Sequence, residues 1–271
     1  MTDLYAVIGN PVAHSKSPPI HAEFARQLGE DLRYEAIFAP RNGFAAAVAA
    51  FRAAGGRGLN VTVPFKLDAF ALATERTERA VQAQAVNTLK FDGATALGDN
   101  TDGAGLVADL TDRLGFALRG KRMLVMGAGG AARGVILPLL RQEPASIAIA
   151  NRTVAKAQAL ERQFAPFGPV TGGGYPELRG KSFDLIVNAT SASLTGELPP
   201  LPRGIFAPGS LAYDMVYGQD STPFLAHARA DGAAQLADGL GMLVAQAAES
   251  FFLWRGRRPD TRPVIDLLRA G

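Results

Sequence analysis

A run of small residues between an apolar strand and a helix constrains this chain more than any other feature. Met123-Leu124-Val125-Met126 leads into Gly127-Ala128-Gly129-Gly130-Ala131-Ala132, and helix-forming residues follow. The pattern is G-x-G-x-x-A. Gly127 makes the tight turn, Gly129 lets backbone approach a pyrophosphate, and Ala132 lets the helix pack closely on the strand. Unpaired N–H groups and a partial positive charge at the helix start favour an anion there. The alternation continues downstream as strand 122–126, helix 130–141, strand 146–150, helix 153–164, strand 183–187 and a further strand over 211–216. Such βαβαβ units build a parallel sheet, so this part reads as a Rossmann-type, doubly wound dinucleotide-binding domain.

The end of the second strand of that domain bears on which dinucleotide. An NAD site commonly places Asp or Glu there, on the ribose hydroxyls. This chain has Asn151-Arg152-Thr153, then Lys156. Arg152 offers a planar fork to a 2′-phosphate and Thr153 a hydroxyl, so the expected cofactor is NADP(H).

The N-terminal part has a different style. Tyr5–Ile8, Tyr34–Phe38 and Gly58–Val63 read as strands, and Phe44–Ala54 as an Ala-rich helix. Ser17 is a plausible N-cap for a helix opening with Pro18 and Pro19. Phe65–Leu72 and Glu75–Val81 read as short helices. Asp92-Gly93 is a hairpin turn signal between two strands, and Thr101–Leu114 reads as helical. In "GLNVTVPFK", Leu59, Val61 and Val63 alternate with Asn60 and Thr62, giving one apolar and one polar face. Pro64 stops the ladder, which leaves Lys66 just past a strand end, where sites on open α/β sheets lie. The fold class is therefore α/β with two domains: an N-terminal α/β domain with a mainly parallel sheet, residues 1–103 with 240–271, and the dinucleotide-binding domain, residues 104–239.

Composition removes several classes of function. The 271 residues include no cysteine, so disulfides, thiolate nucleophiles and Cys-based metal sites are excluded. His14, His21 and His227 have no metal-binding spacing, and no metal is expected. Formal charge is +3 with scattered Lys and Arg, too weak for a nucleic-acid footprint and suited to anionic small molecules. No apolar run approaches the ~18 residues of a membrane span, and the N-terminus lacks the pattern of a signal peptide. A cytoplasmic protein is expected.

Nine motifs, in order, carry a resemblance to a known family: "GNPVAHSKSPPIH", "LNVTVPFK", "AVNTL", "GDNTDG", "GAGGAARG", "NRT", "NATS", "DMVYG…TPFL" and "GLGMLVAQAAESF". Together they resemble the NADP-dependent shikimate dehydrogenases over essentially the whole chain. The resemblance implies interconversion of 3-dehydroshikimate and shikimate with NADP(H), on the route to chorismate and aromatic amino acids, by a monomer or homodimer. It implies that Ser15 and Ser17 hold the substrate carboxylate, which two hydroxyls on one tight loop can do. Asn60, Thr62, Asn87 and Asp102 are implied at the ring hydroxyls, with Tyr217 and Gln246 completing the pocket. On the cofactor side it implies Gly127, Ala128, Gly129, Gly130, Ala131, Asn151, Arg152, Thr153, Lys156, Thr190, Met215, Gly239 and Met242, with Glu78 as a further residue.

Lys66 is implied as the acid–base group and Asp102 as its neighbour. The chemistry agrees, because hydride transfer to a ketone builds negative charge on oxygen that needs a nearby proton or cation. Asp102 is an orienting and hydroxyl-binding partner, with a shared role in proton transfer left open. One departure is Gln219, where the family often has proline. Three rivals carry less. A broader quinate/shikimate dehydrogenase tends to use NAD and an acidic residue near the ribose, unlike Asn151-Arg152-Thr153. A non-catalytic, NADP-sensing regulatory module should have lost Lys66 or Asp102. In folate-linked methylene dehydrogenases, the Ser-x-Ser and "GDNTDG" motifs would not suit a pterin.

Overall fold

Period-2 patterning and helical spacing alternate along the chain, and the structure, a computed structural model, turns them into two sheets. It describes residues 2–190, 192, 197–218 and 221–270. Gln219 lies outside the described residues. The chain divides into two units, Met1–Gly105 with Val244–Gly271, and Leu106–Leu243.

The first unit contains β1 (Asp3–Gly9), α1 (Ser17–Leu28), β2 (Leu32–Phe38), α2 (Phe44–Ala53), β3 (Gly56–Val61), α3 (Lys66–Leu72), β4 (Glu75–Arg76), α4 (Glu78–Ala83), β5 (Thr88–Asp92), β6 (Thr95–Asp99) and the start of α5 (Asp102–Ala108). Its sheet runs β2-β1-β3-β5-β6-β4. Only β5 runs against the others, pairing antiparallel with β3 and β6. Ile8, Val48, Phe51, Leu59, Phe65 and Leu89 form its core. The last helices, most of α9 (Leu240–Arg255) and all of α10 (Arg262–Ala270), belong to this unit. Trp254 of α9 stacks on Tyr5, ring centroids 4.7 Å apart, and its indole N–H donates to the Leu89 carbonyl at 3.0 Å. Arg255 pairs with Asp3 and Glu30. These contacts explain why the C-terminal segment returns to the first sheet.

The second unit contains β7 (Arg122–Met126), α6 (Gly130–Leu140), β8 (Ser146–Ala150), α7 (Val154–Phe164), β9 (Val170–Gly173), β10 (Phe183–Asn188), β11 (Phe206–Asp214), α8 (Pro223–Ala230) and β12 (Gln235–Ala237). Its sheet order is β12-β11-β10-β7-β8-β9, with every pair parallel. The order reverses at β7, next to β10, which is the switch point where doubly wound sheets bind ligands. Apolar clusters contain Val125, Val135, Ile149 and Val187 on one side and Leu124, Met126, Ile186 and Phe224 on the other. Burial of both faces accounts for the near-continuous apolar strands.

Several local expectations change. Ser17 does not cap α1 from outside. It is the first helical residue, Lys16 takes the cap position without a side-chain bond, and Ser17 is buried. Glu75–Arg76 is not helical but pairs with β6, and Thr77 caps the helix that follows, its Oγ1 accepting from the Ala80 N–H at 3.3 Å. The helix expected over Thr101–Leu114 gives way to a π-turn at Asp109–Arg113. The buried Asp109 carboxylate accepts from Tyr213 Oη at 2.7 Å and pairs with Arg113. That non-local demand is what local helical periodicity does not report.

Candidate active site

In the first unit, several segments end or begin at one edge of the sheet. β1, β3 and β6 finish there, β5 starts there, and α3 starts just beyond. After β3, the Phe65 N–H donates to the Thr62 carbonyl at 3.0 Å, turning the chain so that Lys66 opens α3. The Lys66 carbonyl accepts from the Val86 N–H at 2.9 Å, which fixes the base of its side chain. Lys66 Nζ donates to Asp102 Oδ2 at 2.6 Å. The lysine side chain is 32% exposed and the carboxylate 14%, so a ligand can reach the ammonium while the aspartate stays largely covered.

Asp102 Oδ1 accepts from Asn87 Nδ2 at 2.8 Å. The Asn87 carboxamide oxygen accepts from the Thr101 N–H at 2.9 Å and from the Thr88 hydroxyl at 3.0 Å. Gln246, half-buried on α9, accepts from Thr101 Oγ1 at 3.3 Å and lies 3.4 Å from Asn87 Nδ2. Asn87, Asp102 and Gln246 therefore form one cluster with Lys66. Ser15 Oγ accepts from the Ser17 N–H at 3.2 Å, and both serines lie in the loop and first helical turn after β1. Thr62 is half-buried beside this edge.

Asn60 departs from its expected place on a substrate-facing surface. It is 6% exposed. Its carboxamide oxygen accepts from Tyr34 Oη at 2.7 Å and His21 Nε2 at 3.1 Å. Its nitrogen donates to Ser250 Oγ at 2.8 Å and Thr88 Oγ1 at 3.2 Å. Two donors and two acceptors are all that an asparagine side chain has.

His21 has no exposed surface and stacks on Tyr34 with ring centroids 4.2 Å apart. Burial lowers its pKa from 6.5 to about 3, against the smaller raising effect of its bond to Asn60. The imidazole is therefore neutral, with the proton on Nε2, and Nδ1 has no partner among the described residues. The unfolded chain binds this proton below about pH 6.5 and the folded chain does not. The contribution to stability is thus fully present above that pH and declines as the pH falls toward the folded value. Between about pH 8 and about pH 5 the loss through His21 is about 2 kcal/mol. Urea unfolding at both pH values should show that loss in the native chain and not in His21→Gln; equal losses in the two proteins would contradict it.

In the second unit, the turn after β7 carries Gly127 at φ 105°, a conformation open to glycine and strained for other residues. A cavity of about 590 Å³ lies over it, lined among others by Gly127, Gly129, Asn151, Arg152, Tyr175 and Thr190. Arg152 is exposed. Burial raises the Tyr175 phenol above its ordinary pKa, with the nearby Arg152 charge acting in the opposite direction. Thr153 and Lys156 are exposed at the start of α7, and Asn151 Nδ2 donates to the Thr153 carbonyl at 3.0 Å. Ala128, Gly130 and Ala131 complete the turn into α6.

A second buried network shapes this edge. Asn188 Oδ1 accepts from the Thr190 hydroxyl at 2.7 Å, and its Nδ2 donates to Asp214 Oδ1 at 3.2 Å. Asp214 also accepts from Thr222 Oγ1 at 2.6 Å and the Val216 N–H at 3.1 Å. The loops carrying Thr190 and Met215 are held by these bonds. Gly239 lies against Met215, where an added Cβ would stand 2.2 Å from the Met215 oxygen. Met242 is buried at the start of α9.

Residues 7–89 match the shikimate dehydrogenase substrate binding domain, residues 109–195 the shikimate/quinate 5-dehydrogenase family, and residues 239–269 the shikimate 5′-dehydrogenase C-terminal domain. A shikimate dehydrogenase (NADP(+)) of Nitrosospira multiformis is 66% identical over 270 residues, covering 100% of this chain and 98% of the relative. The chain belongs to the NADP-dependent shikimate dehydrogenase family. Among solved structures, an Ael1 enzyme from Pseudomonas putida is 51% identical with a TM-score of 0.94, covering 98% of each chain. The shikimate 5-dehydrogenase from Thermus thermophilus, solved with NADP(H) and shikimate, is 34% identical with a TM-score of 0.87, covering 99% of each chain.

Set against that family, the implied residues fall into two groups. Ser15, Ser17, Asn60, Thr62, Lys66, Asn87, Asp102 and Gln246 lie in the first unit, as does Glu78, exposed in the first turn of α4. Tyr217 lies in the second unit, 37% exposed, with its phenol pKa raised by burial of the ring. The cofactor residues other than Glu78 also lie in the second unit. His21, Tyr34, Thr88, Thr101 and Ser250 were not anticipated in the site. Ser250 was readable, since it follows Gln246 by one helical turn. Tyr175 was not, because it follows a strand weakened in sequence by glycines. Among the described residues, no group of three or more His, Cys, Asp or Glu side chains could hold a metal ion, and no helix is long and apolar enough to cross a membrane.

Proposed function

We propose that this chain catalyses reversible hydride transfer between NADPH and 3-dehydroshikimate, giving shikimate in aromatic biosynthesis, with Lys66 moving the proton. The observation that carries the reading is the Lys66–Asp102 bond of 2.6 Å at a strand-end edge, with the ammonium partly exposed. Bound NADPH supplies the hydride. Its fit rests on the 590 Å³ cavity over the Gly127 turn, the exposed Arg152 fork and the absence of a carboxylate at 151–153.

In the direction of reduction, the carbonyl oxygen gains negative charge and takes a proton from Lys66 Nζ. In oxidation the neutral amine recovers that proton from the hydroxyl. Asp102 orients the ammonium through Oδ2, while Asn87 holds Oδ1 and so fixes the carboxylate plane. Ser15 and Ser17 donate to the substrate carboxylate, and Thr62 and Gln246 border the ring. Arg152 takes the adenosine 2′-phosphate, with Thr153 and Lys156 beside it.

Absorbance of the reduced nicotinamide, with shikimate or quinate crossed with NADP⁺ or NAD⁺, tests the assignment. Shikimate with NADP⁺ should give the highest kcat/KM. A preference for quinate or for NAD⁺ would point to the broader enzyme, and no turnover in any of the four combinations would point to a binding module.

A further inference from the structure

The Asn60 carboxamide is closed on all four sides by protein. The bonds beyond it run in two directions. Toward α1, its oxygen meets the Tyr34 phenol and the His21 imidazole, and His21 lies one helical turn after Ser17 on α1. In the other direction, its nitrogen meets Thr88 Oγ1 and Ser250 Oγ, which are 2.8 Å from each other. Thr88 donates to Asn87 Oδ1 at 3.0 Å, Asn87 donates to Asp102 Oδ1 at 2.8 Å, and Asp102 Oδ2 accepts from Lys66. Ser250 directs its own proton to the Gln246 carbonyl at 3.0 Å. One arrangement uses each hydroxyl proton once: Asn60 donates to both hydroxyls, Thr88 to Asn87, Ser250 to the helix backbone and Asn87 to Asp102; in the other, one of the two hydroxyls donates to its neighbour across their 2.8 Å contact. In the first, from Asn60 through Thr88 and Asn87, each donor points onward toward the carboxylate. Thr88 and Ser250 have no exposed surface, so neither can touch a substrate.

The geometry points to Asn60 as a positioning residue rather than a substrate ligand: with Thr88 and Ser250 it forms a buried hub joining the Ser17 end of the site to the Lys66–Asp102 end. The inference rests on the reaction proposed above. A misdirected Asn87 carboxamide would let Asp102 turn and would move the ammonium from the reacting oxygen. Displacement of a reacting group by a fraction of a side chain acts on the chemical step more than on binding.

The test uses full-length Ser250→Ala, Thr88→Val, Thr88→Ser and Asn60→Ala, assayed with shikimate and NADP⁺ beside the native chain, with circular dichroism to confirm folding. Ser250→Ala and Thr88→Val should each lower kcat about tenfold with KM for shikimate changed by less than about twofold. Thr88→Ser, which keeps the hydroxyl, should restore most of kcat. The Asn60→Ala loss should persist with shikimate analogues that each lack one of the ring hydroxyls not oxidised in the reaction, and adding Ser250→Ala to it should cost less than the two separate losses combined. Near-native kcat in folded Ser250→Ala and Thr88→Val would overturn the hub. A loss from Asn60→Ala that vanishes with one deoxy analogue would make Asn60 a ligand after all. Should Asn60→Ala fail to fold, the Thr88 pair and Ser250→Ala still decide the matter. A native chain with no turnover of shikimate would instead overturn the proposed reaction, and the hub with it, whereas an active native chain with unaffected variants overturns the hub alone.

Discussion

Lys66→Ala is expected to lower kcat for shikimate oxidation by roughly 10²–10⁴-fold, with only a modest change in KM. The size follows from what one proton-transferring group contributes when it is placed within reach of the reacting oxygen. Two features of the structure support Lys66 as that group. Its Nζ is fixed by a 2.6 Å bond to Asp102, and the side chain still has 32% of its surface open. The ring itself would be gripped by other residues, Ser15, Ser17 and Thr62 among them, so substrate affinity should largely survive. Steady-state kinetics followed by nicotinamide absorbance, with both substrates varied, separates the two parameters. Near-normal turnover in the variant would take the lysine out of the mechanism. A large rise in KM with kcat intact would make it a binding residue only.

Arg152→Ala should weaken NADP⁺ by roughly 1.5–3 kcal/mol, the scale of a hydrogen bond to a charged group, which is roughly a 10–150-fold change in affinity. NAD⁺, lacking the 2′-phosphate, should hardly respond. The argument is one of difference: Arg152 is exposed beside the cavity, it stands where many NAD sites carry a carboxylate, and Tyr175 next to it feels its positive charge. Binding measured by quenching of intrinsic fluorescence or by calorimetry gives the two affinities directly. Equal losses for both dinucleotides would mean that Arg152 supports the fold of the cavity and not the phosphate.

Much of the second unit was legible from local chemistry. A G-x-G-x-x-A turn after an apolar strand has few conformations open to it, and Gly127 takes the positive φ that such a turn needs. Alternating strands and helices then leave a parallel sheet as the economical arrangement. In the first unit the same logic found β3 and the strand-end position of Lys66. It misjudged Glu75–Arg76 because a two-residue edge strand has no period to read, and it overran α5 because Asp109 answers to Tyr213, 104 residues further along.

Asn60 marks the limit most sharply. Alternation in "GLNVTVPFK" put it on the polar face of a strand, and the resemblance to the family implied a ring hydroxyl as its partner. What fills its valences comes from His21, 39 residues before it, and Ser250, 190 residues after it.

Sequence by itself determined most of the elements, the dinucleotide turn and the family, because each depends on residues close together in the chain or on motifs kept in order. Tertiary structure alone decided which polar side chains face a ligand and which are spent on one another. A buried donor or acceptor must find a partner wherever folding brings one, and that choice is made by packing between distant segments, which no local spacing encodes.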